Sequence, residues 1–287
     1  MKVLITGAGG LVGTSLVKRF SKRHTVIAPD HVGLDITDRD QLFETVIGER
    51  PDLIFNCAVI GVDECELNPD RARAVNINGP CNLAEAASRV SSAMVHFSTN
   101  YVFDGLRESG FYSVDDEPRP ISIYGRTKWE GEQAVIAACK KSFIIRTSWV
   151  YGGGAKGFFD KAIASLRVGE TIEAVSDNWA STTFVEDLVE RVEKIVEHGH
   201  YGTYHVVNGG ICSKYEFATE AARLIHGSDD LVKPVAEAHA GLIGKRPRYT
   251  PMRCKLSDGI GLPPMRDWRL SLREVVSRRA GSEGQYI

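Results

Sequence analysis

KVLITGAGGLVG, residues 2–13, passes without a spacer from an apolar run into glycines at 7, 10 and 13, and then into a helical apolar pattern through Leu16, Val17 and Phe20. That order is strand, tight turn, helix. Gly7, Gly10 and Gly13 permit the turn, the close approach of backbone to a pyrophosphate, and close helix-on-strand packing. The free N–H groups and positive dipole of the helix N-terminus then hold phosphate charge. A glycine triplet alone is weak evidence, but this one has the required context on both sides.

Outward from this turn, short apolar runs at 25–28, 53–57, 94–98 and 143–146 read as strands, and the longer segments between them are amphipathic. Near-continuous apolar strands alternating with helices predict an α/β fold built on a parallel sheet covered on both faces, doubly wound and Rossmann-type. The expected division is a dinucleotide-binding domain over 1–150 and a smaller C-terminal α/β lobe for substrate, mainly 151–287. Segments near 180–207 are expected to return to the first domain, because 203–207 reads as another strand. Residues 281–287 read as a loose tail.

The second strand ends in Ala28-Pro29-Asp30, where a carboxylate is placed to accept hydrogen bonds from an adenosine ribose. An acid there leans the cofactor choice between NAD and NADP slightly toward NAD. Asp35 is a second acid for the adenosine end, and Thr37 or Asp38 a helix N-cap.

Downstream, the strand 94–98 ends at Thr99, and Tyr124-Gly-Arg-Thr-Lys128 opens a helical segment. Four residues apart on a helix, Tyr124 and Lys128 share a face. A free tyrosine ionises near pH 10, about 3 units above neutrality, and moving it that far corresponds to roughly 4 kcal/mol. An ammonium about 5 Å away contributes roughly 3 kcal/mol at an effective dielectric of 20. Lys128 is therefore expected to lower the ionisation of Tyr124 and make it a proton donor.

These elements together resemble the extended short-chain dehydrogenase/reductases, and within them the dTDP-4-dehydrorhamnose reductase branch. The likeness is carried by STNYVFDG (98–105), YGRTKWEGE (124–132), RTSWVYG (146–152), Asp177 with Thr182-Thr183 ahead of Asp187, and RPRYTPM (246–252) ahead of Trp268. The resemblance implies NAD(P)H-dependent reduction of the C4 ketone of a nucleotide-activated 4-keto-6-deoxy sugar. It implies that Thr99 holds the carbonyl, Tyr124 protonates the developing alkoxide, and Lys128 binds the nicotinamide ribose. It extends cofactor contacts to Leu11, Val12, Ile36, Cys57, Ala58 and Val59, and sugar contacts to Val62, Asn100 and Trp149. The chain departs from that pattern in having Asn100 where an Asp is usual and Thr182 where a Pro is usual, which puts the identity of the sugar in doubt. Two alternatives stay open: a sugar-nucleotide epimerase or dehydratase, and a non-catalytic cofactor-binding subunit similar to the regulatory subunit of methionine adenosyltransferase.

Composition narrows the rest. A formal net charge of −2, with no dense Lys/Arg block, argues against nucleic acid as a partner. No run reaches the roughly 18 apolar residues of a membrane-spanning helix. The six cysteines, 57, 65, 81, 139, 212 and 254, are scattered, with no metal-ligand spacing. Reduced thiols in a cytosol are expected, with Cys57 and Cys81 as packing groups and no metal. The expected partner is the nucleotide sugar, with a homodimer left open.

Overall fold

The structure is a computed structural model that describes residues 1–153, 157–253 and 259–282. Its elements in the first half are β1 (Lys2–Thr6), α1 (Leu11–Phe20), β2 (Thr25–Ile27), α2 (Arg39–Glu49), β3 (Leu53–Asn56), α3 (Val62–Leu67), α4 (Pro69–Arg73), α5 (Gly79–Arg89), β4 (Ala93–Thr99), α6 (Ile123–Ala138) and β5 (Ser142–Thr147). A π-helical turn, Ala74–Asn78, joins α4 to α5. There follow β6 (Val150–Tyr151), α7 (Phe158–Arg167), β7 (Ile172–Val175), β8 (Trp179–Ala180), β9 (Thr183–Phe184), α8 (Val185–His198), β10 (Gly202–His205), β11 (Cys212–Ser213), α9 (Lys214–His226), β12 (Val232–Val235), β13 (Tyr249–Thr250) and α10 (Trp268–Ser282).

Six strands form one sheet in the order β10-β5-β4-β3-β1-β2, and every pairing in it is parallel. Strand periodicity explains why both faces must be covered. In β1, Val3 and Ile5 enter a core shared with Leu16 and Phe20 of α1 and with Leu188 and Val192 of α8. Leu4, between them, enters the opposite core with Leu42 of α2, Leu83 of α5 and Val135 of α6. Burying each such side chain contributes about 1.5–3 kcal/mol, so a strand with an apolar residue at every position is stable only between two helical layers.

The chain order reverses between β1 and β3, since β2 lies on one side of β1 and β3 on the other. Ligands of open α/β sheets bind beyond the carboxyl ends of strands at such a point. A further core, with Tyr151, Phe159, Phe217 and Trp268 at its centre, is built from α7, α9 and α10. The strand expected from 203–207 runs over Gly202–His205 and pairs with β5, Thr203 opposite Ile144.

One expectation is corrected: Gly281 and Ser282 are not tail, because α10 continues through them. Five cysteines, Cys57, Cys65, Cys81, Cys139 and Cys212, are free thiols, and Cys254 lies outside the described residues. Among the described residues no helix is long and apolar enough to cross a membrane.

Candidate active site

The glycine turn sits on the β1/β3 reversal. Gly7 has φ +66°, and a Cβ there would lie 2.6 Å from the backbone N of Ala58 and the carbonyl C of Cys57. A Cβ on Gly13 would run into the backbone of Gly7 and Ala8. Only glycine permits either approach. Gly10 caps α1 with no side-chain hydrogen bond, and no acid occupies the first turn. The amides of Leu11, Val12 and Gly13 therefore form an uncapped first turn aimed at the space beside Gly9, where no atom lies within 4 Å of an added Cβ. A cleft of about 600 Å³ starts at Gly9, Gly10 and Leu11 and runs along the flank of α1, past Thr14, Ser15 and Lys18, against Val185 and Val189 of α8. A backbone cradle closed to side chains and open at a helix N-terminus fits a dinucleotide pyrophosphate.

The other residues expected at the cofactor line the same sheet edge. Asp30 is exposed just past β2, and its Oδ1 accepts from the amide of Gly33 at 2.7 Å. Burial works against the Asp35 carboxylate, but hydrogen bonds from the Thr37 amide (2.9 Å) and hydroxyl (2.8 Å) win, and its pKa falls. Asp38 is the N-cap of α2, accepting from Gln41 at 3.1 Å. Ile36 is buried against Gly79. Cys57, Ala58 and Val59 follow β3 directly beneath Gly7, with Val59 half exposed. Burial pushes the Cys57 thiol up, away from a reactive thiolate.

Beyond β4, α6 begins at an N-cap, Ser122, whose hydroxyl accepts from Gly125 at 3.1 Å. Gly125 lies against the Tyr101 carbonyl, which leaves no room for a side chain and brings the start of α6 onto the end of β4. The Thr99 hydroxyl neighbours that of Tyr124 and favours its ionised form. The ring of Tyr101 meets that of Tyr124 edge-on at 5.7 Å. Thr99 Oγ1 also accepts from the amide of Tyr101 at 3.2 Å.

Lys128 is 2% exposed, and its Nζ donates to the carbonyl oxygen of Phe97 at 2.6 Å, with His96 Nε2 at 3.5 Å. Burial lowers its pKa to about 8, with Glu132 pulling the other way. The expectation that Lys128 lowers the Tyr124 ionisation is overturned. Burial raises Tyr124 to about 12, outweighing the influence of the Thr99 hydroxyl, and the Lys128 ammonium donates to the Phe97 carbonyl.

On the sugar side, Asn100 is buried, its Nδ2 donating to Thr250 Oγ1 at 2.6 Å and its Oδ1 accepting from Thr99 at 3.3 Å. Both ends of the amide are thus engaged within the fold. Trp149 has φ +44°, a left-handed conformation that costs of order 1–3 kcal/mol in a non-glycine residue. Its indole neighbours the Tyr101 hydroxyl, and the Lys214 ammonium stands 5.8 Å from the ring.

Val62 opens α3 beneath Gly244, whose added Cβ would lie 2.9 Å from Val62 Cγ1. Next to it, Asp63 receives Arg246 at 2.8 and 3.0 Å and the amides of Ile243 and Gly244 at 3.2 and 2.9 Å. The Arg246 hydrogen bond holds Asp63 at about 2, below the usual carboxylate range. Tyr101, Asp63, Lys214 and His96 escaped the sequence reading. Asp63 adjoins Val62 and Arg246 opens RPRYTPM, but nothing local pairs positions so far apart.

A parallel sheet with a glycine cradle at its strand-order reversal and a Thr-Tyr-Lys group beside β4 defines a Rossmann-type enzyme of the short-chain dehydrogenase/reductase class. Within that class the chain belongs to the family described as the RmlD substrate binding domain, whose model matches residues 1–280. It is 38% identical to a dTDP-4-dehydrorhamnose reductase of Mycolicibacterium smegmatis, over 98% of this chain and 86% of that one. The crystal structure of a dTDP-4-dehydrorhamnose reductase from Clostridium acetobutylicum superposes with a TM-score of 0.91 at 36% identity, covering 98% of this chain and 100% of that chain. The Bacillus anthracis dTDP-4-dehydrorhamnose reductase, solved in complex with NADP, gives a TM-score of 0.91 at 34% identity, covering 96% and 99%.

Proposed function

We propose that this chain reduces the C4 ketone of a nucleotide-activated 4-keto-6-deoxy sugar with NAD(P)H, as in dTDP-L-rhamnose biosynthesis. The observation that carries the reading is the neighbouring hydroxyls of Thr99 and Tyr124, with Lys128 one turn further along α6, at the carboxyl edge that also holds the glycine cradle. The nicotinamide, when bound, supplies the hydride to C4. Thr99 orients the ketone oxygen. Tyr124, protonated throughout the neutral range, delivers its proton to that oxygen as it becomes a hydroxyl. Lys128 holds the nicotinamide ribose.

Gly7, Gly10, Leu11, Val12 and Gly13 take the pyrophosphate, and Asp30, Asp35, Ile36, Cys57, Ala58 and Val59 border the cofactor. Asp30 favours NAD, since a carboxylate at the ribose repels a 2′-phosphate. Val62, Asn100 and Trp149 border the sugar from the first domain, opposite a lobe formed mainly by residues 151–287. We place the reaction in the cytosol, in keeping with the free thiols. The test is cofactor absorbance with purified protein and a panel of dTDP-linked 4-keto-6-deoxy sugars. Stoichiometric NAD(P)H loss is expected, and none with any of them sinks the reading.

A further inference from the structure

A line of buried polar groups crosses the sheet behind the site. Thr6 Oγ1 donates to Asn56 Oδ1 at 2.9 Å, Asn56 Nδ2 stands 3.1 Å from His96 Nδ1, and His96 Nε2 stands 3.5 Å from Lys128 Nζ. None of the four residues is more than 2% exposed. The line joins the residue before Gly7 to the lysine of the reaction centre, through β3 and β4.

The direction of each hydrogen bond follows from one backbone group. The amide of Ala58 lies 3.2 Å from Asn56 Oδ1, and a backbone N–H can only donate. The oxygen of the Asn56 amide is therefore the atom facing Ala58, and its NH₂ is the group facing His96. His96 Nδ1 must accept. A neutral imidazole that accepts at one nitrogen carries its proton on the other, so Nε2–H faces Lys128. Burial keeps the ring neutral, holding its pKa well below the ordinary value.

We propose that Thr6, Asn56 and His96 are positioning residues that lock the imidazole as the Nε2–H tautomer and so set the proton affinity of Lys128. The Phe97 carbonyl accepts from Nζ on one side, and the imidazole N–H presents its positive end on the other. An ammonium is held in place by the first and disfavoured by the second; an amine can donate to Phe97 and accept from His96. The remaining titratable groups around Lys128 are Glu132 on α6, Cys57 after β3 and Cys65 on α3, all of which favour its charged form, while Tyr124 lies one turn back on α6. Burial depresses the lysine in spite of the first three. The lock also starts beside the cofactor cradle, because Thr6 precedes Gly7 and Ala58 packs against it.

This inference uses the proposed reductase reading only for its kinetic arm. The Asn56→Asp variant replaces the donor to Nδ1 with an acceptor, which places the imidazole proton on Nδ1 and turns Nε2 into an acceptor for the ammonium. The basic limb of kcat/KM for ketosugar reduction should then move up by about 1 pH unit or more. An unmoved limb in a folded variant, or one that moves down, contradicts the lock. The second arm needs neither substrate nor variant: ¹⁵N NMR of the histidine-labelled wild-type protein should show His96 neutral with its proton on Nε2 from pH 6 to 9. A proton on Nδ1, or a charged ring, overturns the proposal whatever the enzyme reduces. Failure of the reductase reading alone would leave the NMR result intact.

Discussion

Tyr124 and Lys128 sit one turn apart on α6 and meet β4 at points two residues apart, Tyr124 beside the Thr99 hydroxyl and Lys128 at the Phe97 carbonyl, to which its Nζ donates at 2.6 Å. The helix thus fixes both groups against one strand rather than against each other. Tyr124→Phe removes only the proton donor. Turnover should fall by roughly 10²- to 10⁴-fold with the cofactor dissociation constant unchanged. Single-turnover kinetics with a separate cofactor titration checks this, and near-normal turnover would take Tyr124 out of the mechanism.

Lys128 titrates near pH 8, so its ammonium prevails below that and is lost above it. If the charge holds the ribose, kcat/KM should fall as pH rises through about 8 in the wild type, and Lys128→Met should weaken cofactor binding and abolish that limb. Stability should move the other way. The folded pKa lies below the ordinary 10.5, so burying the ammonium costs stability below pH 8, and the cost fades as pH rises toward 10.5. Lys128→Met should raise Tm at pH 7, with the gain shrinking toward pH 10.

Asp30 stands exposed at the end of β2, one oxygen taken by the amide of Gly33. Asp30→Ala should raise the NADH dissociation constant and narrow the gap to NADPH. Equal losses for both cofactors, or none, would place the carboxylate away from the ribose.

The Asp63 and Arg246 clasp ties the 243–246 segment to α3 beside Val62. Arg246→Lys keeps the charge and loses the paired geometry. KM for the sugar nucleotide should rise by about 10-fold, the order of one lost charge-assisted hydrogen bond, with kcat changed much less. A fall in kcat at constant KM would argue that the clasp serves chemistry instead. The carboxylate titrates low, so the clasp is fully formed above pH 3.8 and opens as pH falls toward 2.

The parts of this site legible in sequence are those that local chemistry dictates. Three consecutive apolar positions, Val3 to Ile5, make the heart of β1, three glycines make the cradle, and a four-residue spacing puts Tyr124 and Lys128 on one face. What each side chain turns toward was not legible. The sense of the Tyr124 shift depended on burial, and Lys128 turns to the carbonyl of Phe97, 31 residues away. Asp63 and Arg246 meet across 183 residues, and Asn100 reaches Thr250 across 150. Such pairings are products of the topology, and no periodicity in the chain encodes them.

The most direct test of the central claim is the fate of the hydride. NAD(P)H deuterated at the transferring position, supplied with a dTDP-linked 4-keto-6-deoxy sugar and this protein alone, should place one deuterium at C4 of the product while Tyr124→Phe places almost none. Deuterium retained on the cofactor, or found at any other sugar carbon, would contradict the account.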